Sequence, residues 1–210
     1  MSRKRVAILI SGRGSNMAAL IEAAKDPGYP AEIVLVLSNI ADAGGLAHAQ
    51  ENGIETAVVA HKPFGKDREA FDRAVQDVLL AHKIQIVCLA GFMRLLTPWF
   101  VSQWGGRMIN IHPSLLPAFK GLHTHERVLA EGATRHGATV HFVTPELDDG
   151  PIIMQESVPV LPGDTPDALA ARVLKVEHRI YPEAVAAILD GGWTIEGGRF
   201  RAPRPRSASA

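Results

Sequence analysis

The stretch "RVAILISGRGSN", residues 5–16, decides the fold. Val6 to Ile10 are apolar without a break, as in a strand covered on both faces within a parallel sheet. Gly12 and Gly14 stop the run at once, and a helical pattern follows from about residue 15. The same grammar returns along the chain. "EIVLVLS" (32–38), "TAVVA" (56–60), "IQIVCLA" (84–90) and "RMINIH" (107–112) read as further short strands, with helical patterns at about 15–26, 44–52, 66–82 and 97–104. Strands alternating with helices predict βαβ units, hence a Rossmann-like α/β fold with a mostly parallel sheet flanked by helices.

After His112 the pattern changes. "GATVHFVTPELDDGPIIMQESVPV" (137–160) supplies two strands around a polar loop, so the C-terminal edge of the sheet is expected to be antiparallel. "TPDALAARVLKVEHRIYPEAVAAILDGG" (165–192) predicts a long helix. Thr165 is its N-cap and Pro166 its first position, and Leu169, Val173, Val176 and Ile180 form its apolar stripe. The Arg/Pro/Ser-rich end predicts a disordered tail over 202–210 after a single domain over 1–201.

Composition narrows the classes of function. The 210 residues suit one domain, and 47% hydrophobic with 21% charged residues is ordinary for a soluble globular protein. A formal net charge of zero gives no bulk attraction for nucleic acid or membrane. The single cysteine, Cys88, lies in an apolar run, excludes an internal disulfide and fits a reducing, cytoplasmic setting. Val6–Ile10 is too short for the apolar core of a secretion signal, about 7–15 residues. No run reaches the roughly 20 residues of a membrane helix.

Three motifs carry chemistry. "SGRGSN" (11–16) joins the first strand to the first helix, where glycines permit a sharp turn and helix-end amides attract phosphate. Met17 stands where a dinucleotide fingerprint has its third glycine, and the second strand ends in Ser38–Asn39 without a carboxylate for a ribose. A monophosphate therefore fits better than a dinucleotide; a tight turn without a ligand is the plainer alternative. In "MINIHPSLLP" (108–117), Asn110 and His112 share one strand face and Ile109 and Ile111 the other, and Pro113 ends the strand. Two such donors can stabilise an oxyanion, although a satisfied polar pair at a sheet end has the same pattern. In "TPELDDGP" (144–151), Asp148 can face His112 and favour its protonated form, with Asp149 as a turn residue before Gly150. His123 and His125 in "GLHTHE" lack the partners of a metal site and read as a loop capping the next helix; His141 lines the site or packs in its strand.

Together these motifs resemble the folate-dependent glycinamide ribonucleotide formyltransferases of purine synthesis. The likeness runs from Val6 to Leu189 through "ISGRGSN", "SNIADAGGL", "AGFMRLL", "NIHPSLLP", "GLHTHE", "GATVHFVTPELDDGPII" and "EHRIYPEA". It implies the formyltransferase fold, with Asn110, His112 and Asp148 catalytic. It implies that Gly12, Arg13, Gly14, Ser15 and Asn16 bind the 5′-phosphate of glycinamide ribonucleotide, with Glu177 at its sugar or glycinamide part. Met93, Arg94, Leu95 and Leu96, with Asn110, would hold 10-formyltetrahydrofolate as cosubstrate, and Arg68 would meet its benzoylglutamate end. Arg13 stands at a position the family varies. The resemblance brings no metal, nucleic acid or membrane partner, and a monomer or homodimer.

Four alternatives stand beside it. A tRNA-directed formyltransferase is expected to carry a further C-terminal domain, and a formyltetrahydrofolate hydrolase a further N-terminal one. A nucleotide sensor would bind at "SGRGSN" without transfer, and an oxidoreductase would bind NAD.

Overall fold

The structure, a computed structural model, describes residues 3–202. Fifteen elements follow one another: β1 (Lys4–Ile10), α1 (Ser15–Ala24), β2 (Ala31–Ser38), α2 (Gly44–Glu51), β3 (Glu55–Val58), α3 (Arg68–Ala81), β4 (Ile86–Leu89), α4 (Pro98–Gln103), β5 (Met108–His112), α5 (Thr124–Ala130), β6 (Arg135–Phe142), β7 (Ile152–Pro159), α6 (Pro166–Leu189), β8 (Thr194–Glu196) and β9 (Arg199–Arg201). The nine strands form one sheet in the order β3-β2-β1-β4-β5-β6-β7-β9-β8. β3 through β5 in that order pair in parallel, and β6 reverses direction against both β5 and β7. The mostly parallel sheet with an antiparallel C-terminal edge is the fold the alternating runs predict.

The two sheet faces bury separate apolar layers. One joins α1, α2, α5 and α6 through Met17, Leu46, Val128 and Val173, among others. The other joins α3 and α4 through Phe71, Val75, Phe100 and Met108. Each central strand feeds both layers, which is why its sequence is apolar throughout: Ile8 belongs to the first layer and Leu9 to the second. No helix among the described residues is long and apolar enough to cross a membrane.

Local signals explain the ends of several elements. Thr165 caps α6 by accepting from the Ala168 amide at 3.2 Å, with Pro166 next. α6 continues through Pro182, whose ring removes one backbone donor without ending the helix. Thr97 caps α4 in the same manner, accepting from Phe100 N. The β8–β9 hairpin escapes sequence reading because each strand has only three residues and is largely exposed. Trp193 beside it stacks between Phe142 and Phe200, with ring centroids 5.2 and 5.7 Å apart. Of the disordered tail expected over 202–210, residues 203–210 lie outside the described residues.

The reversal at β6 demands one glycine. A Cβ on Gly150 would lie 1.7 Å from the Phe142 carbonyl oxygen, a backbone atom that cannot step aside. Gly150→Ala is therefore expected to lower unfolding free energy by about 2 kcal/mol or more, read from urea denaturation at constant m-value. An unchanged midpoint would mean that the β6–β7 loop can refit around a methyl group.

Candidate active site

β1, β4 and β5 end at the same edge of the sheet, and the crevice between β1 and β4 is where the chain's winding switches direction. Open α/β sheets bind ligands outside such switch points. The loop after β1 and the end of β5 lie two strands apart there, about 10 Å.

At the end of β5, parity sorts the side chains. Met108 packs in the α3–α4 layer, while Ile109 and Ile111 enter the opposite one, so Asn110 and His112 face the α3–α4 side. The antiparallel ladder sets His141 opposite Asn110 and Thr139 opposite His112. Asp148 arrives from the β6–β7 loop, held in a left-handed backbone conformation at φ 49°. Its Oδ2 accepts from the Gly121 amide at 2.9 Å and stands 3.4 Å from His112 Nδ1. Its Oδ1 is 3.8 Å from His141 Nε2. His112 and Asp148 are both buried. Asp149 turns outward to pair with Lys120.

Hydrogen-bond chemistry assigns the protons. His112 Nε2 lies 2.9 Å from the Phe119 carbonyl, which can only accept, so Nε2 carries a hydrogen. Nδ1 faces the Asp148 carboxylate, so both ring nitrogens meet acceptors. His141 differs. Its Nδ1 donates to the Phe142 carbonyl at 2.9 Å, and burial holds its ring below the usual histidine range. The neutral ring thus presents a bare Nε2, which accepts from the Asn110 amide at 3.3 Å. That bond fixes the amide's orientation and leaves Asn110 a second N–H. The sequence leaves His141 either lining the site or packed in its strand; the pairing register and the bond to Asn110 place it beside the site.

The loop after β1 forms an anion-ready turn. Gly14 is left-handed at φ 71° and precedes α1, whose first turn no side chain caps. Gly12, Arg13 and Ser15 are exposed there, while Met17 is buried beneath them. α2 closes on the loop as Gly45 N donates to the Gly12 carbonyl at 3.0 Å. A Cβ on Gly45 would meet Ile10 Cδ1 at 2.6 Å, a close approach the sequence does not announce. Glu177, buried on α6, accepts from Asn16 Nδ2 at 2.5 Å. Burial pushes its carboxyl above the usual glutamate range, against the opposing pull of the Asn16 bond.

A third group borders the same edge. Met93 and Leu95 are 66% and 60% exposed, and Leu122 and Leu147 are similarly bare. The Met93 amide donates to Ser11 Oγ at 2.7 Å, joining this segment to the loop after β1. Arg94 lies over the Phe71 ring at 5.4 Å. Arg68 is engaged within the chain: Nε and Nη2 donate to the Leu95 carbonyl at 3.2 and 2.9 Å. His125 meets His136 at 3.0 Å under α5, apart from His123. His123 stands at the N-cap position of α5, where a loop capping the helix is expected, and its side chain makes no capping hydrogen bond. No cluster of three or more His, Cys, Asp or Glu among the described residues is arranged to hold a metal.

The sequence profile described as formyl transferase matches residues 4–185. The chain is 47% identical over 186 residues to phosphoribosylglycinamide formyltransferase of Escherichia coli (strain K12), covering 89% of this chain and 87% of that one. It is 50% identical over 199 residues to the trifunctional purine biosynthetic protein adenosine-3 of Bos taurus, covering 94% of this chain. The chain spans about a fifth of that protein's length, 20%. The crystal structure of glycinamide ribonucleotide transformylase 1 from Symbiobacterium toebii superposes with a TM-score of 0.92 at 42% identity, covering 96% of this chain and 95% of that one.

Glu177 yields a pH-dependent prediction. The folded protein holds its proton more tightly than the unfolded chain, so stability falls as pH rises from the ordinary glutamate value, about 4.3, through the raised folded one. Glu177→Gln removes that penalty. Its urea midpoint relative to wild type is expected to climb as pH rises above the ordinary glutamate value. A difference that stays flat with pH would show that burial does not destabilise this carboxylate.

Proposed function

Because the chain belongs to the formyl transferase family, we propose that it transfers the formyl group of 10-formyltetrahydrofolate to the amine of glycinamide ribonucleotide, a step of purine biosynthesis in the cytoplasm. The observation that carries this reading is the group of half-buried Asn110 with buried His112 and Asp148, two strands from an uncapped helix N-terminus on the same sheet edge. The names of the relatives support the choice of substrates.

In this reading the loop Gly12–Asn16 takes the ribonucleotide's phosphate on the first-turn amides of α1. Asn16 and Glu177 reach the sugar or glycinamide part. Met93 to Leu96 and the 144–150 loop take the pterin, and Arg68 extends towards the benzoylglutamate. The amine's lone pair attacks the formyl carbon, a C–N bond forms and the carbonyl oxygen becomes an oxyanion. Asn110 donates its second amide N–H to that oxygen. His112 Nε2–H exchanges the Phe119 carbonyl for the oxyanion, a stronger acceptor because it is charged. Asp148 supports the imidazolium and relays the ammonium proton, through water, to N10 of the folate. The C–N10 bond then breaks and leaves tetrahydrofolate. Direct attack by an amine requires neither a protein nucleophile nor a metal; proximity and charge stabilisation lower the barrier.

The test is spectrophotometric: purified protein with 10-formyltetrahydrofolate, followed with and without glycinamide ribonucleotide. Loss of the formyl group only with the ribonucleotide is expected. Loss without it would make the protein a hydrolase, and no loss in either case would overturn the assignment. Asn110→Ala and His112→Ala are each expected to lower turnover by about 10²–10³ while remaining folded. Near-normal turnover in folded His112→Ala would remove it from the mechanism.

A further inference from the structure

Asp72 is a buried carboxylate on the inner face of α3, 1% exposed, and belongs to none of the three groups at the sheet edge. A carboxylate tolerates such burial only where hydrogen bonds replace its water. Its Oδ2 accepts two, from the Thr97 amide at 2.7 Å and the Thr97 hydroxyl at 2.6 Å. Since the hydroxyl has a single proton, giving it to Asp72 turns an oxygen lone pair towards Phe100 N, and this orients the cap of α4. Oδ1 is buried and unpaired, so Thr97 is the carboxylate's sole hydrogen-bond partner among the described residues.

One helical turn earlier on the same face stands Arg68, whose guanidinium holds the Leu95 carbonyl and, at 3.3 Å, the Leu96 carbonyl. Three consecutive residues, 95 to 97, are thus bound through their backbones to two side chains of α3. Between those anchors Phe71 stacks on Phe92 and lies under Arg94. α3 therefore shapes the whole 92–97 segment, although none of its side chains stands at the end of β5.

We infer that Asp72 is a positioning residue for formyl-folate, fixing the Arg94–Thr97 segment from behind so that its exposed apolar face keeps the shape of the pterin cleft. The inference rests on the proposed function for its ligand, but the anchoring itself can be read without turnover. Arg68 and Asp72 act as a pair in which the exposed arginine tolerates replacement better than the buried aspartate.

Three variants and two measurements test this. Asp72→Ala removes both bonds. Asp72→Asn keeps an oxygen that can accept them. Val75→Ala, buried on the same helix in the same layer, weakens packing without removing any of the hydrogen bonds to residues 95–97. In hydrogen exchange, the Thr97 amide is expected to exchange roughly tenfold faster or more in Asp72→Ala and close to wild type in Asp72→Asn and Val75→Ala. In steady-state kinetics, Asp72→Ala is expected to raise KM for 10-formyltetrahydrofolate about tenfold, with kcat and the ribonucleotide KM within about threefold of wild type. Asp72→Asn should restore most of that loss. Should Asp72→Ala not fold, Thr97→Val removes the hydroxyl bond to Asp72 together with the α4 cap, keeps the amide bond, and is expected to raise the same KM about threefold.

Unchanged exchange at Thr97, or a folate KM moved equally by Val75→Ala, would overturn the inference. A wild-type protein that neither turns over nor binds formyl-folate would instead overturn the proposed function, and the exchange result would still decide whether Asp72 fastens the segment.

Discussion

The antiparallel pairing of β5 with β6 is the constraint on which the site depends. It places His141 opposite Asn110 and sends the chain out at Phe142, so the following loop must fold back over the sheet to begin β7. Asp148 rides on that loop and reaches His112 from the side opposite the strand's own backbone. A parallel β6 would finish at the sheet edge where β5 finishes and would send its following loop out there instead. One reversal of strand direction therefore gathers four polar side chains from three segments. Gly150 makes the fold-back possible because only a residue without Cβ passes the Phe142 carbonyl.

Much of this is legible in the sequence, for identifiable reasons. Both-sided apolar runs mark the parallel strands, and the parity of "MINIH" is enough to put Asn110 and His112 on one face. Thr165–Pro166 marks the start of α6 because capping depends on adjacent residues. What escapes depends on register or contact distance. His141 acquires its place from pairing with a strand about thirty positions earlier, a relation no local pattern encodes. Gly45 looks like one glycine of a pair until the loop after β1 arrives against it. Asp72 sits in an ordinary amphipathic pattern, and only its burial shows that it is not on the solvent face. The three-residue strands β8 and β9 carry too few residues for any periodicity.

Neutral and charged groups are kept apart by burial as much as by pairing. His141 is held neutral by desolvation, and its tautomer is set by the Phe142 carbonyl. Burial likewise pushes half-buried His125 and buried His136 towards the neutral form, His136 to about 4. His112 faces the Asp148 carboxylate through Nδ1 and the Phe119 carbonyl through Nε2, and the neutral rings around it place no cation beside that contact.

The Phe119 carbonyl gives the arrangement a direction. A group that stabilises a transition state lowers the barrier only by as much as it favours that state over the ground state. An Nε2–H with no acceptor would bind a formyl carbonyl and its oxyanion alike, spending part of its strength on the ground state. With a backbone carbonyl already accepting at 2.9 Å, exchange for another neutral carbonyl gains little. Exchange for an oxyanion gains more, because its charge makes it a stronger acceptor than a neutral carbonyl. In the proposed reaction the preference for the oxyanion therefore comes from the competition at Nε2. Asn110 contributes differently: its first N–H is committed to His141, and its second enters the site already aimed. In that reaction one donor selects through the Phe119 carbonyl of the loop after β5, and the other is preorganised by the register of the β5–β6 ladder.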